Sequence, residues 1–385
     1  MHLQPRSKRS RAATRTVTWL AQVCLALLVA AGLYFVYRTT RANLARLGVE
    51  SGFDFLHKEA GFAIAQSLIH YTETSTIARA FLVALLNSLL LAVAVVILAS
   101  LLGLLVGASR LSRNWLASHI ATAYVELFRN VPALLQVFFW YFVALRQLPS
   151  LERSLELPFG IVLNNRGLYL PTWEITGWWL IGVGAVAGVS ASIAFSRLMA
   201  SRGPGIRFVG SASALLLPLA VVLASPGVHI SIEPLVRGRF EYEAGFTLMP
   251  EFIALAVGLS LYNASYIAEI IRSGFKSVPV GQREAGRALG LRESTTFWRV
   301  LLPQAMTVVV PPLATQYANI FRATSLAAAI AYPELVSVFV GTVNNLVGQP
   351  VEVMAITLAT YGLVSLVVAG LLNIYNRHLL RRGER

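Results

Sequence analysis

The chain has 385 residues, 56% of them hydrophobic and only 13% charged, with a formal net charge of +14. Soluble domains carry roughly 25% charged residues, so repeated apolar runs rather than soluble cores account for this length. The single cysteine, Cys24, excludes an internal disulfide framework and a multi-cysteine metal site, and the scattered histidines have no metal-ligand spacing.

Residues 1–16 carry Arg6, Lys8, Arg9, Arg11 and Arg15 and no acid, ahead of the apolar run Val17–Tyr37. A signal peptide has this polarity. The run is longer than a typical signal core, however, and its exit at Tyr37–Arg41 has no small-residue cleavage site. It is read as an uncleaved first span. A mixed segment follows to residue 80, in which Phe62–Ile69 is too short to span and is read as an interfacial helix. Phe81–Ser109 holds no charge and is the clearest span, with Gly103 and Gly107 spaced for close helix contact. A third span covers 120–145, with Glu126 and Arg129 near its start. A stretch without clear periodicity then runs to Thr176. Spans four and five, 178–195 and 208–224, are separated by Arg197, Arg202 and Arg207, and the fourth carries Gly184 and Gly188. A polar loop, 225–249, leads to span six at 252–271. Span seven starts near Pro303 and is interrupted by Pro311, Pro312 and Arg322, and Ser325–Val347 is read as partly re-entrant. Span eight is 351–375, followed by a basic tail.

With the N-terminus inside, inside segments hold 20 basic residues and outside loops ten. The excess lies in the shorter segments, where the positive-inside rule is strongest. The +14 charge therefore marks topology, with both termini cytoplasmic, rather than nucleic-acid binding.

The loop after span six is cytoplasmic in this arrangement. Pro279 can start a helix and Gly290 suits a helix C-terminus, so Gly281–Leu289 is read as a short helix. Ser294 or Thr295 is placed to cap a second helix leading to Pro303. Glu284 near the first helix's start suits the helix dipole, and Arg283 and Arg287 share one face. The small residues Ala285, Gly286 and Ala288 let a neighbour approach closely. A basic loop beside anionic lipid would need the charge but not this small-residue patch, which points to docking.

Glu284-Ala285-Gly286, then Gly290, then Val300, Leu302 and Pro303 stand at the spacing of the EAA motif. The loop resembles that of the membrane subunits of binding-protein-dependent ABC importers, with Gly286 and Val300 as mild departures. Tyr124–Phe142, Asn263–Gly274 and Phe321–Ile330 are similar to segments of the polar amino acid permeases. The eight-span layout resembles the long subunits of general L-amino acid permeases. The resemblance implies an all-α polytopic membrane protein with a five-helix ABC importer type I core and three extra helices. Residues 1–80 would hold the N-terminal tail, first span and periplasmic segment. Residues 81–375 would form the transport domain, with a two-helix insert at 149–249, and 376–385 a cytoplasmic tail.

It further implies a subunit of the bacterial inner membrane that is not itself an ATPase. The chain has no G-x-x-x-x-G-K-[ST] phosphate loop, so ATP and magnesium would be bound by a partner ATPase dimer. That partner would receive Glu284, Ala285, Gly286, Arg287, Gly290 and Pro303. A second permease subunit, a periplasmic amino acid-binding protein and an amino acid substrate are the other expected partners. On the substrate pathway the candidates are Arg322, Asn263, Thr324 and Ser325. In the family, position 322 is commonly Lys or Arg and the next often Asp or Asn; here it is Ala323. An ion-coupled secondary transporter is the alternative, and would require an acid or histidine in mid-span. The sequence places none there: Glu126 and Glu269 lie near span ends.

Overall fold

The computed structural model of the protein describes residues 8–46, 52–176, 178–199, 204–223, 225, 229–238, 242–243 and 245–383. Arg6, Arg202, Arg239, Glu241 and Arg385 lie outside the described residues. The chain is mostly helical. Among the described residues, five helical stretches are long and apolar enough to cross a membrane: Trp19–Thr40, Ile77–Arg110, Pro250–Lys276, Glu293–Ile330 and Pro350–Leu371. Shorter apolar helices at 133–143, 182–196 and 213–222 fall where the other three expected spans lie.

In the first helix, α1 (Lys8–Arg46), Trp19, Leu20, Leu27, Leu28 and Phe35 are exposed. Residues 52–76 are irregular apart from a short turn at Asp54–His57, so the interfacial helix expected at Phe62–Ile69 does not form. Tertiary bonds claim that backbone instead. The Asn87 amide donates to the Gln66 carbonyl at 2.7 Å, and the Gln66 side chain donates to the Tyr332 hydroxyl at 3.2 Å.

Helix α2 (Ile77–Arg110) begins at Thr76, whose side chain accepts from the Arg79 N–H. The third expected span is two helices, α3 (Trp115–Asn130) and α4 (Ala133–Phe138), the latter continuing as a wide π turn through Ala144. Pro132 explains the break. It disfavours helical geometry at Val131, which is extended at φ −93°, ψ 126°. The Gln136 amide then satisfies the carbonyls of Phe128 and Val131, both at 3.0 Å.

Between the apolar helices the insert holds strands where the sequence showed no periodicity. β1 (Leu155–Leu157), β2 (Ile161–Asn164), β3 (Gly167–Leu170) and β8 (Phe246–Leu248) form one antiparallel sheet. β4 (Thr172–Thr176) pairs with β5 (His229–Glu233), and β6 (Val236–Arg237) with β7 (Tyr242–Glu243). From β4 and β5 rises a hairpin of α5 (Trp178–Leu198) and α6 (Pro204–Leu223). Pairing of Leu168 with Leu248 closes the insert immediately before the next core helix.

That helix, α7 (Pro250–Lys276), is the most buried and packs along α2. The polar loop follows as α8 (Val280–Ala288) and α9 (Glu293–Thr296), then a π turn at Phe297–Leu301. α10 (Leu302–Ala323) runs through Pro311 and Pro312 without ending. Residues 324–330 and 336–343 form tight and wide helical turns, α11 (Asn344–Val347) is brief, and α12 (Pro350–Gly383) closes the chain. One core cluster joins Leu91, Val95, Leu255, Leu259, Ile267 and Ile320. A second joins Phe55, Ile77, Leu335, Phe339, Val343 and Val353.

Candidate functional site

The α8 loop is built by local chemistry. Pro279 precedes the first helical residue, and the helix ends on Gly290 at φ +69°, a left-handed conformation that a Cβ disfavours. The Gly290 N–H donates to the Arg287 carbonyl at 2.9 Å and the Leu291 N–H to the Gly286 carbonyl at 3.0 Å. These two bonds are the Schellman closure of a helix. Helix α9 starts after Arg292, without a side-chain cap, so neither Ser294 nor Thr295 caps it. Both lie inside it.

Three contacts fix α8 to the chain beyond Gly290. Gly286 is buried, and a Cβ there would lie 2.7 Å from the Thr296 side chain. The small residue of the motif is therefore a seat for α9. Arg287 donates from Nε and Nη2 to one Glu293 oxygen at 2.8 and 2.7 Å. Gln304 donates to Gln282 at 3.3 Å. The Glu293 carboxyl is held below the usual carboxylate range, first by its hydrogen bond to Arg287 and then by the charge of that guanidinium. At the loop's base, Phe275 and Phe297 stack with centroids 5.7 Å apart. Glu269 is ion-paired to both Arg110 and Arg272, clamping the end of α2 to the end of α7.

The outer face of α8 is exposed. Val280 is 73% and Leu289 77% exposed, and Glu284, Ala285 and Ala288 are exposed beside them. Of the motif's small residues, Gly286 packs inward while the two alanines face outward. Pro303, also exposed, sits just beyond the π turn. It has no N–H to give one turn back, and a wide turn is a common response to that loss.

The pathway candidates do not converge on one point. Asn263 is 2% exposed. It donates to the Leu259 carbonyl and accepts from the Gln316 amide, both at 2.7 Å, so it bonds α7 to α10. Arg322 is exposed and donates to the Asn319 side chain and, at 3.4 Å, to the Ala318 carbonyl. Thr315, Asn319 and Arg322 are all exposed at spacings of four and three, so they form one polar stripe on α10. Thr315 and Asn319 were not among the expected site residues; their helical spacing from Arg322 was the available signal. Ser325 follows beside this face, its hydroxyl donating to the Arg322 carbonyl at 2.9 Å. Thr324 points the other way. It is fully buried, donates to the Phe321 carbonyl at 2.7 Å, and lies 3.4 Å from the Tyr361 hydroxyl.

Thr324 thereby borders a group that sequence reasoning missed. Glu334 is 0% exposed. Its carboxylate accepts from the Ser337 N–H at 2.7 Å, the Tyr361 hydroxyl at 2.9 Å and the Ser88 hydroxyl at 3.5 Å. It lies in the 325–347 segment read as partly re-entrant, outside the mid-span positions where no acid was expected. A lone acid between Pro333 and an apolar run was the available signal. Every partner is a neutral donor, so this carboxylate acts as an acceptor that ties α2, the 334–337 turn and α12 together.

Comparison with known proteins places this arrangement. Residues 99–382 match the family described as "Binding-protein-dependent transport system inner membrane component". The chain is 42% identical over 362 residues to the general L-amino acid transport system permease protein AapQ of Rhizobium johnstonii, covering 92% of this chain and 90% of that one. It is 33% identical over 403 residues to the glutamate/glutamine/aspartate/asparagine transport system permease protein BztB of Rhodobacter capsulatus, covering 95% and 94%. A solved amino acid ABC transporter chain aligns over 78% of this chain and 94% of its own, at 18% identity and a TM-score of 0.47.

Proposed function

The chain belongs to the inner membrane components of binding-protein-dependent transport systems, and from that premise we propose that it is the permease subunit of an ABC importer for L-amino acids of broad range. The observation that carries this reading is its end-to-end likeness to amino acid permeases, which runs through the insert as well as the core. That likeness supports the ABC reading over an ion-coupled carrier.

The loop geometry supplies the coupling. Helix α8 is closed by its own backbone, seated by Gly286 on Thr296, and turned outward with Val280, Ala285, Ala288 and Leu289. A partner ATPase, which would bind ATP and magnesium, takes that face, with Glu284 and Arg287 at its margin. Motion there passes to α7 and α10 through the Phe275–Phe297 stack, and from α7 to α2 through the Glu269 clamp. Both termini are cytoplasmic in this reading, supported by the basic residues of the short segments. Reporter fusions after Leu44 should then read periplasmic and fusions after Pro204 and Arg283 cytoplasmic.

The stripe of Thr315, Asn319 and Arg322 faces the pathway, across from a second permease subunit. Arg322 offers a planar, bidentate donor set for the carboxylate that every α-amino acid carries. Gln316 and Asn263 lie behind the stripe and hold it, and Ser325 extends it. A periplasmic binding protein delivers the substrate. The testing experiment is Gly290→Asp. It should leave membrane insertion intact but lose ATPase co-purification and uptake. Normal uptake by a well-expressed Gly290→Asp protein would overturn the reading.

A further inference from the structure

A cavity of about 910 Å³ opens beside the α8 loop, between α2, α7 and α10. Its walls are apolar over most of their length, set by Leu104, Ile267, Ile271, Met306, Val309 and Leu313. Its far end is a hydroxyl pair, Ser100 and Tyr317, 3.0 Å apart. Its mouth carries Lys276, Arg283 and Trp298. From Ser100 to Leu111 the α2 wall is about 16 Å long, and the α10 wall from Tyr317 to Leu302 about 22 Å, at 1.5 Å per residue. The cavity is therefore long and mostly apolar, with cations at one end only.

That shape argues against a zwitterionic substrate, which would lose hydration to gain only two hydroxyls. It also argues against an empty state, since apolar walls of this extent gain by contact with another apolar body. The mouth asks for an anion. Lys276 and Arg283 are both exposed, and Glu293, which feels Arg283, is itself held by Arg287. Trp298, 65% exposed at the same mouth, is a side chain favoured at the boundary between hydrocarbon and water. We propose that this cavity binds one acyl chain of an anionic phospholipid, with the lipid phosphate held jointly by Lys276 and Arg283.

The site has a consequence for the loop. Lys276 is the last residue of α7, and Arg283 lies on α8 across the Ser277–Pro279 link. A phosphate bound to both bridges that bend and sets the angle at which α8 stands out from the membrane. The bound lipid thus tunes coupling without touching the substrate.

The test is native mass spectrometry of the complete transporter, released from nanodiscs made of equal phosphatidylglycerol and phosphatidylcholine. One phosphatidylglycerol should be retained per copy of this chain, in preference to phosphatidylcholine. Lys276→Ala with Arg283→Ala should weaken retention by on the order of tenfold or more, given the roughly fivefold contribution of each basic residue near an anionic headgroup. Leu104→Trp, which fills the cavity and leaves the mouth intact, should abolish it. Equal retention of both lipids overturns the proposal, as does unchanged retention in both variants. So does a photo-crosslinker at Leu104 that captures a segment of the second permease subunit. Retention is read without transport, so its failure is distinguishable from failure of the importer reading.

Discussion

Two helix pairs in this chain use the same device with different results. In the core, Gly103 and Gly107 let α2 approach α7. A Cβ at Gly103 would lie 2.7 Å from Ile267, and one at Gly107 3.1 Å from the Ala268 carbonyl. In the insert, Gly184 and Gly188 let α5 approach α6, with a Cβ at Gly188 only 2.3 Å from the Leu215 carbonyl. Both pairs are four residues apart, the spacing that brings backbones together in membranes. Yet α7 also packs on α3, α4 and α10, whereas the main helical contact of α5 and α6 is with each other. The spacing says that a helix will be approached closely. It does not say how much of the molecule depends on the approach.

The largest expected effect comes from the core pair. Gly103→Leu forces a side chain into Ile267 where α2, α7 and the main cluster meet. Overpacking of this kind costs about 1–3 kcal/mol or more, and here every core helix shares the strain. Folded, monodisperse transporter on detergent size-exclusion chromatography should be largely lost. Gly188→Leu makes the tighter local clash, but the strain stays in the hairpin, so assembly and uptake should persist. Comparable losses from both substitutions would show that the insert is integral to the core.

A second way to sharpen the contrast is Glu334. Glu334→Ala would leave the Tyr361 hydroxyl and the Ser337 N–H without their acceptor, at about 1–3 kcal/mol for each buried group left unsatisfied. Thermal unfolding of the purified complex should shift down clearly. Glu334→Gln keeps one carbonyl acceptor and should recover part of the loss. If Glu334→Ala unfolds like the parent, the carboxylate does not tie α2 to α12.

Legibility in the sequence followed the range of the interaction. Helix α8 was readable because its signals are local: Pro279 before it, Gly290 after it and the spacing of Glu284–Gly286 within it. The apolar spans were readable from length and composition. What was missed depended on partners far away in the chain. Phe62–Ile69 has a helix's apolarity, but Asn87 and Tyr332 take the polar groups of Gln66. The β strands of the insert are two to five residues long, too short for alternation to register. Glu334 was passed over because, beside the local Ser337 N–H, its donors come from residues 88 and 361. The break after Asn130 was the exception, since Pro132 announced it locally, and apolarity on both sides masked it. Among the site residues, the roles of Asn263 and Thr324 rested on which face of a helix turned inward, which one sequence does not specify.

Arg322 extends the comparison to a helix face that is exposed among the described residues. In a partly dehydrated pathway a hydrogen bond to a charged group is worth about 1.5–3 kcal/mol, on the order of tenfold to a hundredfold in affinity. Arg322→Ala should therefore depress uptake of acidic, neutral and basic amino acids alike, while the binding protein still captures them. Arg322→Lys should rescue partly, keeping charge without the fork. Wild-type uptake by Arg322→Ala, or a loss confined to acidic substrates, would remove the carboxylate anchor. Selective loss would instead point to a charge filter.

The smallest expected effect concerns the loop itself, where α8 and α9 are joined by one exposed ion pair. Arg287 lowers the Glu293 carboxyl from its ordinary range. A carboxyl depressed in the folded state stabilises it above the unfolded value of about 4.3, and that contribution is lost as pH falls through the folded value. Nothing should therefore change between pH 6 and 8, and the pair should weaken only in acid. Exposed pairs contribute little, and salt screens them. Gly286 on Thr296 and the Schellman closure hold the two helices together without charge. Glu293→Gln should thus leave uptake and ATPase association near parental levels at neutral pH, with hydrogen exchange at Thr296 slightly faster in low salt. A large uptake defect in Glu293→Gln would mean that the pair, rather than the glycine seat, orients α8, and the loop would then be sensitive to ionic strength where the apolar Gly103–Ile267 approach is not.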